Sequence, residues 1–428
     1  MRFWIETSMC AAALLWGCAL PASAQVAQLQ PPEMLQKLPA IEVYSLASLE
    51  QIADQHNPIL MRDRAVIESS RGAAIQAGLY PNPSFNSGNP FVFAGRQSLP
   101  NVGFQQEIPV MGKRRLDQAA VEETITQATE LFQLNRMAMK TALRKQFYVA
   151  LAAQARLRIL DEILKALAEL EKAGKEAQGK NKASDTDLAA IRLDYVRTVG
   201  LHRSAVVVLG RSRKQLAALA GIPNLPITEL SGSLLGPYPQ VDDNALLDYV
   251  ANNSSQVRVG QSLIKQNEIL LKRAQVDWIP NPTLGPAYQW GVNGQSSNNQ
   301  FWFNLTFPVP VWNQNQGGIH AARSNVVSAT ESMHAIQNDM RVKALQMLGA
   351  YHQALEKVNQ HEQEALPMAR KAAAEARKAA GKDGRSLASH VDIHRTLTAL
   401  ESDFLDALTD MWNAAVDLAG ILNRETFR

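Results

Sequence analysis

His390 and His394 lie four residues apart near the end of the sequence, with Asp392 between them. On a helix, this spacing could present two imidazoles to one metal ion. A third ligand is missing from the neighbouring sequence, so we interpret the pair as exposed histidines on a helix surface. The sequence also contains no Walker, Gly-x-Ser-x-Gly, His-Glu-x-x-His or glycine-rich dinucleotide motif. We therefore predict neither enzymatic activity nor a bound metal or cofactor.

Charged residues open two of the predicted helices. Asp185 and Asp187 begin one of them, where the helix dipole favours acidic side chains and a capping role explains both. Lys113, Arg114 and Arg115 begin another, directly after a glycine. This basic cluster lacks the upstream glycine and the Ser or Thr of a phosphate-binding loop. The function of both charged clusters depends on where the helices place them.

The first 24 residues have the features of an export signal. Their apolar stretch ends in small residues up to Ala24, which form a typical cleavage pattern. An alternative is a lipoprotein signal with Cys18 acylated, although the bulky Trp16 fits such a site poorly. Cleavage after Ala24 would remove both cysteines, Cys10 and Cys18, so we expect no disulfide in the mature chain.

Charge and hydropathy restrict the remaining function classes. The formal net charge is +3, with 43 basic and 40 acidic side chains, which gives no reason to expect a nucleic-acid partner. Beyond residue 24 we find no run of about 18 apolar residues, the minimum for a transmembrane helix. Any membrane crossing would therefore require strands.

Three short motifs recur 199 residues later in the chain and indicate two tandem units. They are Pro81-Asn82-Pro83 with Pro280-Asn281-Pro282, Ile108-Pro109-Val110 with Phe307-Pro308-Val309, and Ala220-Gly221-Ile222 with Ala419-Gly420-Ile421. We predict a first unit over 44–222 and a second over 244–422. A linker over 223–243 joins them, an extended segment over 25–43 precedes them, and a tail over 423–428 follows.

Each unit is predicted to contain one short, one very long and one medium helix. The predicted helices cover about 46–79, 113–178 and 184–220 in the first unit, and about 244–278, 315–380 and 386–422 in the second. At 1.5 Å per residue, the helix over 113–178 is a rod of about 100 Å. Apolar residues in it step by three and four from Ala150 to Leu167, and a second apolar stripe runs beside them. Two stripes predict packing on two neighbours, as in a closed ring of helices.

Between these helices the apolar period changes from 3.6 to 2, which predicts strands over 84–94, 102–110, 283–292 and 300–311. One face of the strands is apolar and aromatic, and we predict that it faces lipid: Phe104, Ile108, Tyr288, Trp290, Phe301, Phe303, Leu305 and Phe307. A half-buried soluble hairpin would give the same alternation. Four strands cannot close a membrane barrel, so chains must share one, and twelve strands from three chains would leave an aqueous lumen.

The order of these motifs resembles the TolC family of outer-membrane factors. A helix, Pro81-Asn82-Pro83-Ser84, a hairpin, Gln106-Glu107-Ile108-Pro109, Gly112-Lys113-Arg114 and a long helix follow one another in that family's order. Tyr80 to Pro83 and Gly112 to Arg114 are most similar to its CzcC-type heavy-metal branch. The resemblance covers essentially the whole chain after residue 24.

The resemblance implies a mainly α fold with a small β part. In that arrangement a homotrimer forms a 12-stranded barrel in the outer-membrane lipid, which a 12-helix tunnel continues across the periplasm. A periplasmic adaptor and an inner-membrane pump of the resistance-nodulation-division type would dock on it. The linker over 223–243 would lie outside the tunnel at its equator, and we call it the equatorial linker.

The resemblance also gives the charged clusters a role. The tunnel tips would be the turns near 179–187 and 381–392, so Asp185, Asp187 and Asp383 could form a cation-attracting ring at a closed aperture. Lys113, Arg114 and Arg115 would anchor the protein at the lipid interface, with a solvated helix start as the alternative.

Pro367 breaks the symmetry of the two units. Its counterpart 199 residues earlier is Ala168, so only the second long helix carries an internal proline. Proline removes a backbone hydrogen bond and kinks a helix. We predict that Pro367 is the hinge of a hairpin over 367–387 that moves when the tip opens.

The sequence as a whole favours a passive outer-membrane exit duct for small solutes or metal cations expelled by a partner pump. A soluble periplasmic coiled-coil adaptor or scaffold is the alternative from another class. It would share the long helices but lack strand pairs with an aromatic face.

Overall fold

Helices make up most of the residues that the computed structural model describes, which are 43–88, 101–178, 184–290, 299–380 and 387–422. Side chains at 173, 177, 187, 377–380 and 387–390 are outside this description. The predicted export signal with Cys18, the segment before residue 43, Asp383 and the tail over 423–428 also lie outside the described residues. No helix in the described ranges is long and apolar enough to cross a membrane.

The helices follow in chain order with two short ones before each long one. They are α1 Leu46–His56, α2 Pro58–Ala77, α3 Lys113–Gln178, α4 Asp185–Leu219, α5 Asp243–Asn253, α6 Ser255–Val276, α7 Gln316–Gln360, α8 Leu366–Ala380 and α9 Leu387–Ile421. A π-helical segment, His361–Ala365, separates α7 from α8. Helix α3 has the bounds that the sequence predicts, and it is 66 residues long.

The predicted single helices over 46–79 and 244–278 are wrong, because each is two helices. Asn57 is extended (φ −69°, ψ 122°), and its side chain accepts a hydrogen bond from the Ile59 amide at 2.9 Å. Pro58 follows at the first helical position, where it needs no hydrogen-bond acceptor. Ser254 (φ −66°, ψ 152°) interrupts the second unit in the same way. Side-chain capping therefore starts a new helix at both places.

Helix α3 is the common partner of the bundle, since α2, α4, α6 and α9 all pack against it. Its predicted seam is buried at Ala150, Ala153, Leu160 and Leu167. Leu143 and Ala150 belong to one continuous core that also includes residues of α1, α4, α7 and α9. The long helix thus buries apolar side chains on several sides at once.

Gly221 ends α4 as the sequence predicts. Its φ is +86°, and the amide of Ile222 donates to the carbonyl of Ala217 at 3.1 Å, which is a Schellman arrangement. A Cβ at this position would lie 2.7 Å from the carbonyl oxygen of His56. Only glycine therefore allows α4 to stop here against the end of α1.

The strands form two sheets. The bounds are β1 Val43–Ser45, β2 Ser84–Gly88, β3 Asn101–Glu107, β4 Glu229–Ser231, β5 Thr283–Gln289 and β6 Gln300–Thr306. Strands β1 and β4 pair in parallel, and the other four form one antiparallel sheet in the order β2-β3-β5-β6. Both units therefore contribute to one sheet, with β3 and β5 as the junction.

Three strands end earlier than predicted. Strand β3 stops at Glu107 rather than 110, and β6 stops at Thr306 rather than 311. Pro109 and Pro308 follow shortly after and lack the amide that a ladder hydrogen bond requires. Strand β5 ends at Gln289 instead of 292, and β2 is described only to Gly88. Trp290 is described and is not part of the strand, while 291–292 and 89–94 lie outside the described ranges.

Gly285 in β5 generates the first prediction. A Cβ added there would lie 1.7 Å from the carbonyl oxygen of Phe104 in β3, so Gly285→Ala must push the two strands apart. We expect a loss of about 1–3 kcal/mol in the free energy of unfolding, measured by thermal unfolding of the full chain in detergent. Gly349→Ala is the matched control, because open space surrounds Gly349 in α7 and alanine favours the helix by about 1 kcal/mol. Equal stability of the two variants would contradict the close approach of β3 and β5.

Candidate functional site

The predicted apolar strand positions lie together on one face of the four-stranded sheet. Directly opposed residues of antiparallel strands share a face, and the register opposes Tyr288 to Phe301 and Leu284 to Leu305. Phe104 and Phe303 remain 55% and 64% exposed, although a large aromatic side chain normally finds cover. The same face carries Phe85, Val102, Phe104, Leu284, Pro286, Tyr288, Phe301, Phe303 and Leu305, with Ser87 and Gln106 as polar exceptions.

Three further predicted positions lie beside the strands rather than in them. Ile108 and Phe307 follow the ends of β3 and β6, and both are exposed. Trp290 follows β5, is half-buried, and stacks on Tyr288 with ring centroids 6.1 Å apart. They extend the apolar face beyond the ladder hydrogen bonds.

The opposite face of the sheet is small or polar at nearly every position. It carries Asn86, Gly103, Gln105, Glu107, Thr283, Gly285, Ala287, Gln289, Asn304 and Thr306, with Trp302 as the large apolar exception. Strands β2 and β6 each pair on one side only, so both edges of the sheet are unpaired within the described residues. The single chain therefore presents an apolar face, a polar face and two open edges.

The predicted interfacial basic cluster is wrong for Lys113. This residue is 3% exposed, and its Nζ donates to the carbonyl oxygen of Ile279 at 2.5 Å and lies 3.6 Å from Asp277. Arg114 donates to the carbonyl of Gly78 and lies 4.5 Å from the ring centroid of Tyr80. These contacts tie the start of α3 to the ends of α2 and α6. Arg115 is exposed.

Asp277 completes this junction. A hydrogen bond from Arg273 lowers the pKa of its carboxyl, and the nearby Lys113 ammonium acts in the same direction. Arg273 also bonds Asp117 of α3 at 2.7 Å. A carboxyl with a lowered pKa stabilises the fold above its ordinary pKa and loses that contribution as the pH falls through the lowered pKa. The junction is therefore intact at neutral pH.

Asp185 is the one predicted tip acid whose side chain is described. It is exposed and accepts a hydrogen bond from the side chain of Gln178, at the other side of the turn. Ser184 precedes it, and its hydroxyl accepts from the amide of Thr186 at 3.3 Å, as an N-cap does. The side chain of Asp187 and all of Asp383 lie outside the described residues.

An ion pair that the sequence analysis missed joins the two units near the tip. Asp194 of α4 is only 5% exposed, and its Oδ1 accepts from Nε of Arg395 in α9 at 2.6 Å. The hydrogen bond that Arg395 donates to Asp194 raises the pKa of Arg395. Ile191, Val391 and Leu170 form a small apolar cluster nearby. One sequence feature could have predicted this ion pair: Asp194 is an acidic residue on the buried stripe of α4.

A second link near this tip joins α3 to α4 and is exposed. Glu171 accepts from Lys175 at 2.9 Å and from Arg192 at 3.1 Å. These two hydrogen bonds lower the pKa of Glu171, with the bond from Lys175 contributing most. Because all three side chains are accessible to water, the link stabilises the turn only weakly.

The histidine pair near the tip has no described metal geometry. His394 is half-buried in α9, and the side chain of His390 lies outside the described residues. Among the residues whose side chains are described, no group of three His, Cys, Asp or Glu could hold a metal ion.

Pro367 is the second residue after the π-helical segment His361–Ala365. The amide of Leu366 donates to the carbonyl of His361, five residues earlier, in place of the usual four. The first-unit counterpart of this region, 162–168, lies within the continuous helix α3. The irregularity that the sequence predicts at Pro367 therefore takes the form of a π-helical segment on its N-terminal side.

No family model and no curated protein sequence matches this chain. Solved protein structures do match this chain. The chain superposes on CusC, a transmembrane channel, with a TM-score of 0.70 and 14% identity, over 88% of this chain and 91% of that one. It superposes on the MtrE outer-membrane channel of Neisseria gonorrhoeae with a TM-score of 0.69 and 17% identity, over 89% of this chain and 89% of that one. It superposes on the outer-membrane protein VceC of Vibrio cholerae with a TM-score of 0.68 and 14% identity, over 89% of this chain and 96% of that one.

The chain has the fold of these outer-membrane channels. The likeness runs over nearly the full length of both partners, so the helices and the sheet are shared together. The predicted fold class, mainly α with a small β part, is confirmed.

The Asp194–Arg395 pair generates a stability prediction. Arg395→Ala leaves a buried carboxylate without its bond, and we expect a loss of about 1–3 kcal/mol in the free energy of unfolding, typical of hydrogen bonds to charged groups. Arg192→Ala, which removes the exposed bond to Glu171, should destabilise the chain much less than Arg395→Ala, because water screens the exposed bond. Thermal unfolding of the full chain in detergent measures both. A double variant, Asp194→Ala with Arg395→Ala, should lose less than the two single losses added. Additive losses would show that the pair does not couple α4 to α9.

Proposed function

We propose that this protein is the outer-membrane exit duct of a tripartite efflux system. The observation that carries this proposal is the four-stranded sheet, whose largely exposed apolar face joins rods about 100 Å long. A large exposed apolar surface requires lipid or another protein to cover it. The fold shared with outer-membrane channels supports lipid as the cover. The polar opposite face suits a water-filled lumen.

The open edges of the sheet support an assembly of several chains. Membrane strands must satisfy every backbone hydrogen bond, so β2 and β6 need partners from other copies. Three chains would supply twelve strands, enough for an aqueous lumen. We therefore propose a homotrimer, docked on a periplasmic adaptor and an inner-membrane pump of the resistance-nodulation-division type. The pump would choose the cargo, either small solutes or, as in the CzcC-type branch, metal cations.

Membrane fractionation tests the proposal against a soluble periplasmic adaptor. We expect to find the full chain in the outer-membrane fraction, from which only detergent should release it. On a gel it should run as a trimer band that heating converts to monomer. A deletion strain should accumulate either divalent metals or organic solutes, and the plasmid-borne chain should restore their export. Extraction without detergent, with no trimer band, would favour the soluble adaptor instead.

We propose that the tip acids attract cations to the aperture. Neutralising Asp185, Asp187 and Asp383 to Asn together should lower the preference for cations, because charged rings concentrate counter-ions at a narrow opening. The reversal potential in a potassium chloride gradient across a planar bilayer measures this preference. Asp339→Asn, which neutralises an exposed acid of α7, is the control. An unchanged reversal potential in the triple variant would remove the aperture role.

We also propose that Pro367 is the hinge of the second-unit hairpin. Pro367→Ala restores a backbone donor, and alanine favours an uninterrupted helix by about 3 kcal/mol over proline. We expect fewer channel openings and weaker efflux, measured in bilayers and in cells. Met368→Ala, an exposed neighbour, should leave both unchanged. Normal opening and efflux in Pro367→Ala would contradict the hinge.

A further inference from the structure

The equatorial linker is anchored first on the long helix of the first unit. The side-chain amide of Gln154 donates to the carbonyl of Leu230 at 3.2 Å, and the amide of Leu230 donates back to Gln154 Oε1 at 3.1 Å. Both groups are buried, so this reciprocal pair is costly to separate. Arg158 adds an exposed ion pair to Glu229 at 2.5 Å. Strand β4 is therefore fixed to α3.

The linker then crosses α9. The indole Nε1 of Trp412 donates to the carbonyl of Leu234 at 2.8 Å. Trp412 also stacks on Tyr148 of α3, with ring centroids 4.8 Å apart. At this point α9 holds the linker directly, and α3 supports the Trp412 side chain that does so.

The last part of the linker contacts the π-helical segment and α7. The Tyr238 hydroxyl donates to Oε2 of Glu362, inside the π-helical segment, at 3.1 Å. Tyr351 donates to the carbonyl of Pro239 at 2.5 Å, and His352 lies 3.1 Å from Asp243. The linker thus connects a fixed point on α3 to the irregular part of the second long helix.

The π-helical segment is the weak part of that helix. Its bonds follow the rare five-residue pattern, and Pro367 offers no amide to repair it. The ring of His361 lies against Phe404 of α9 with centroids 6.4 Å apart, while its Nδ1 is buried without a hydrogen bond. The segment therefore lacks some of the bonds that hold a regular helix. A contact from the linker contributes a larger share of its stability than it would in a regular helix.

We propose that Tyr238 is a positioning residue that restrains the π-helical segment through Glu362 and so sets how readily the second-unit hairpin moves. This inference rests on the proposed duct function, which gives the movement its purpose. The first long helix needs no such restraint, because its counterpart region, 162–168, is regular helix. The linker occurs once per chain, so the restraint acts on the second unit alone.

The restraint does not respond to pH in the physiological range. Burial, together with the bond to Glu362, raises the pKa of Tyr238 to about 12. A raised pKa keeps the hydroxyl protonated, so the bond is present at neutral pH and is lost only as the pH rises through 12. The contact is therefore a constant restraint.

Amide hydrogen exchange of the full chain in detergent tests the proposal. Tyr238→Phe keeps the ring but removes the donor, and we expect amides at 361–366 to exchange about five-fold faster, the effect of one lost hydrogen bond. Amides at 162–167, the first-unit counterparts, should not change. Tyr195→Phe, which removes a tyrosine hydroxyl from α4, is the matched control.

Two variants of the acceptor make the test independent of the tyrosine. Glu362→Gln keeps an acceptor oxygen and should exchange like the wild type, whereas Glu362→Ala should match Tyr238→Phe. Unchanged exchange at 361–366 in Tyr238→Phe and Glu362→Ala would overturn the proposal, and so would equal acceleration throughout the chain. Bilayer conductance of the same samples is read separately. A chain that shows the local acceleration but forms no channel would refute the duct and keep the restraint.

Discussion

Burial of the long helix α3 on several sides is the interaction on which the rest of the structure depends. Helices α2, α4, α6 and α9 pack on it, and its residues Leu143 and Ala150 lie in a core shared with both units. Apolar burial is the main favourable term in folding, so a helix with more than one apolar stripe must gather partners on each side. The junction at Lys113 then fixes where this rod meets the sheet, because a buried ammonium must keep its acceptors at Ile279 and Asp277.

The two units share an order of elements but differ in the continuity of their long helix. Helix α3 is continuous over 66 residues, whereas its counterpart is divided into α7, a π-helical segment and α8. The equatorial linker adds to this inequality, since it bonds buried groups on α3 and exposed groups on the π-helical segment. A stiff rod and a divided one within a single chain suit an assembly that holds its shape in one unit and moves in the other.

The proposed function depends on the surfaces of the four-stranded sheet. An apolar sheet face, a polar face and unpaired edges are requirements that one chain leaves unmet, and copies of the chain in lipid would meet all three. Near the other end, the buried Asp194 holds Arg395, and this pair joins the first unit to the second where the opening is proposed. In the proposed function, the protein acts through assembly and movement.

The sequence by itself determined the features that depend on local chemistry. These are the bounds of α3, the glycine end of α4 at Gly221, and the alternation that puts Phe104, Phe301 and Phe303 on one face. The breaks at Asn57 and Ser254 were also local, and attention to capping could have found them. Only the tertiary structure decided the pairing of β3 with β5, the burial of Lys113, the Asp194–Arg395 pair and the Tyr238–Glu362 contact. Each of these joins residues more than 100 positions apart, and helical or strand periodicity carries no information about which distant face a side chain will meet.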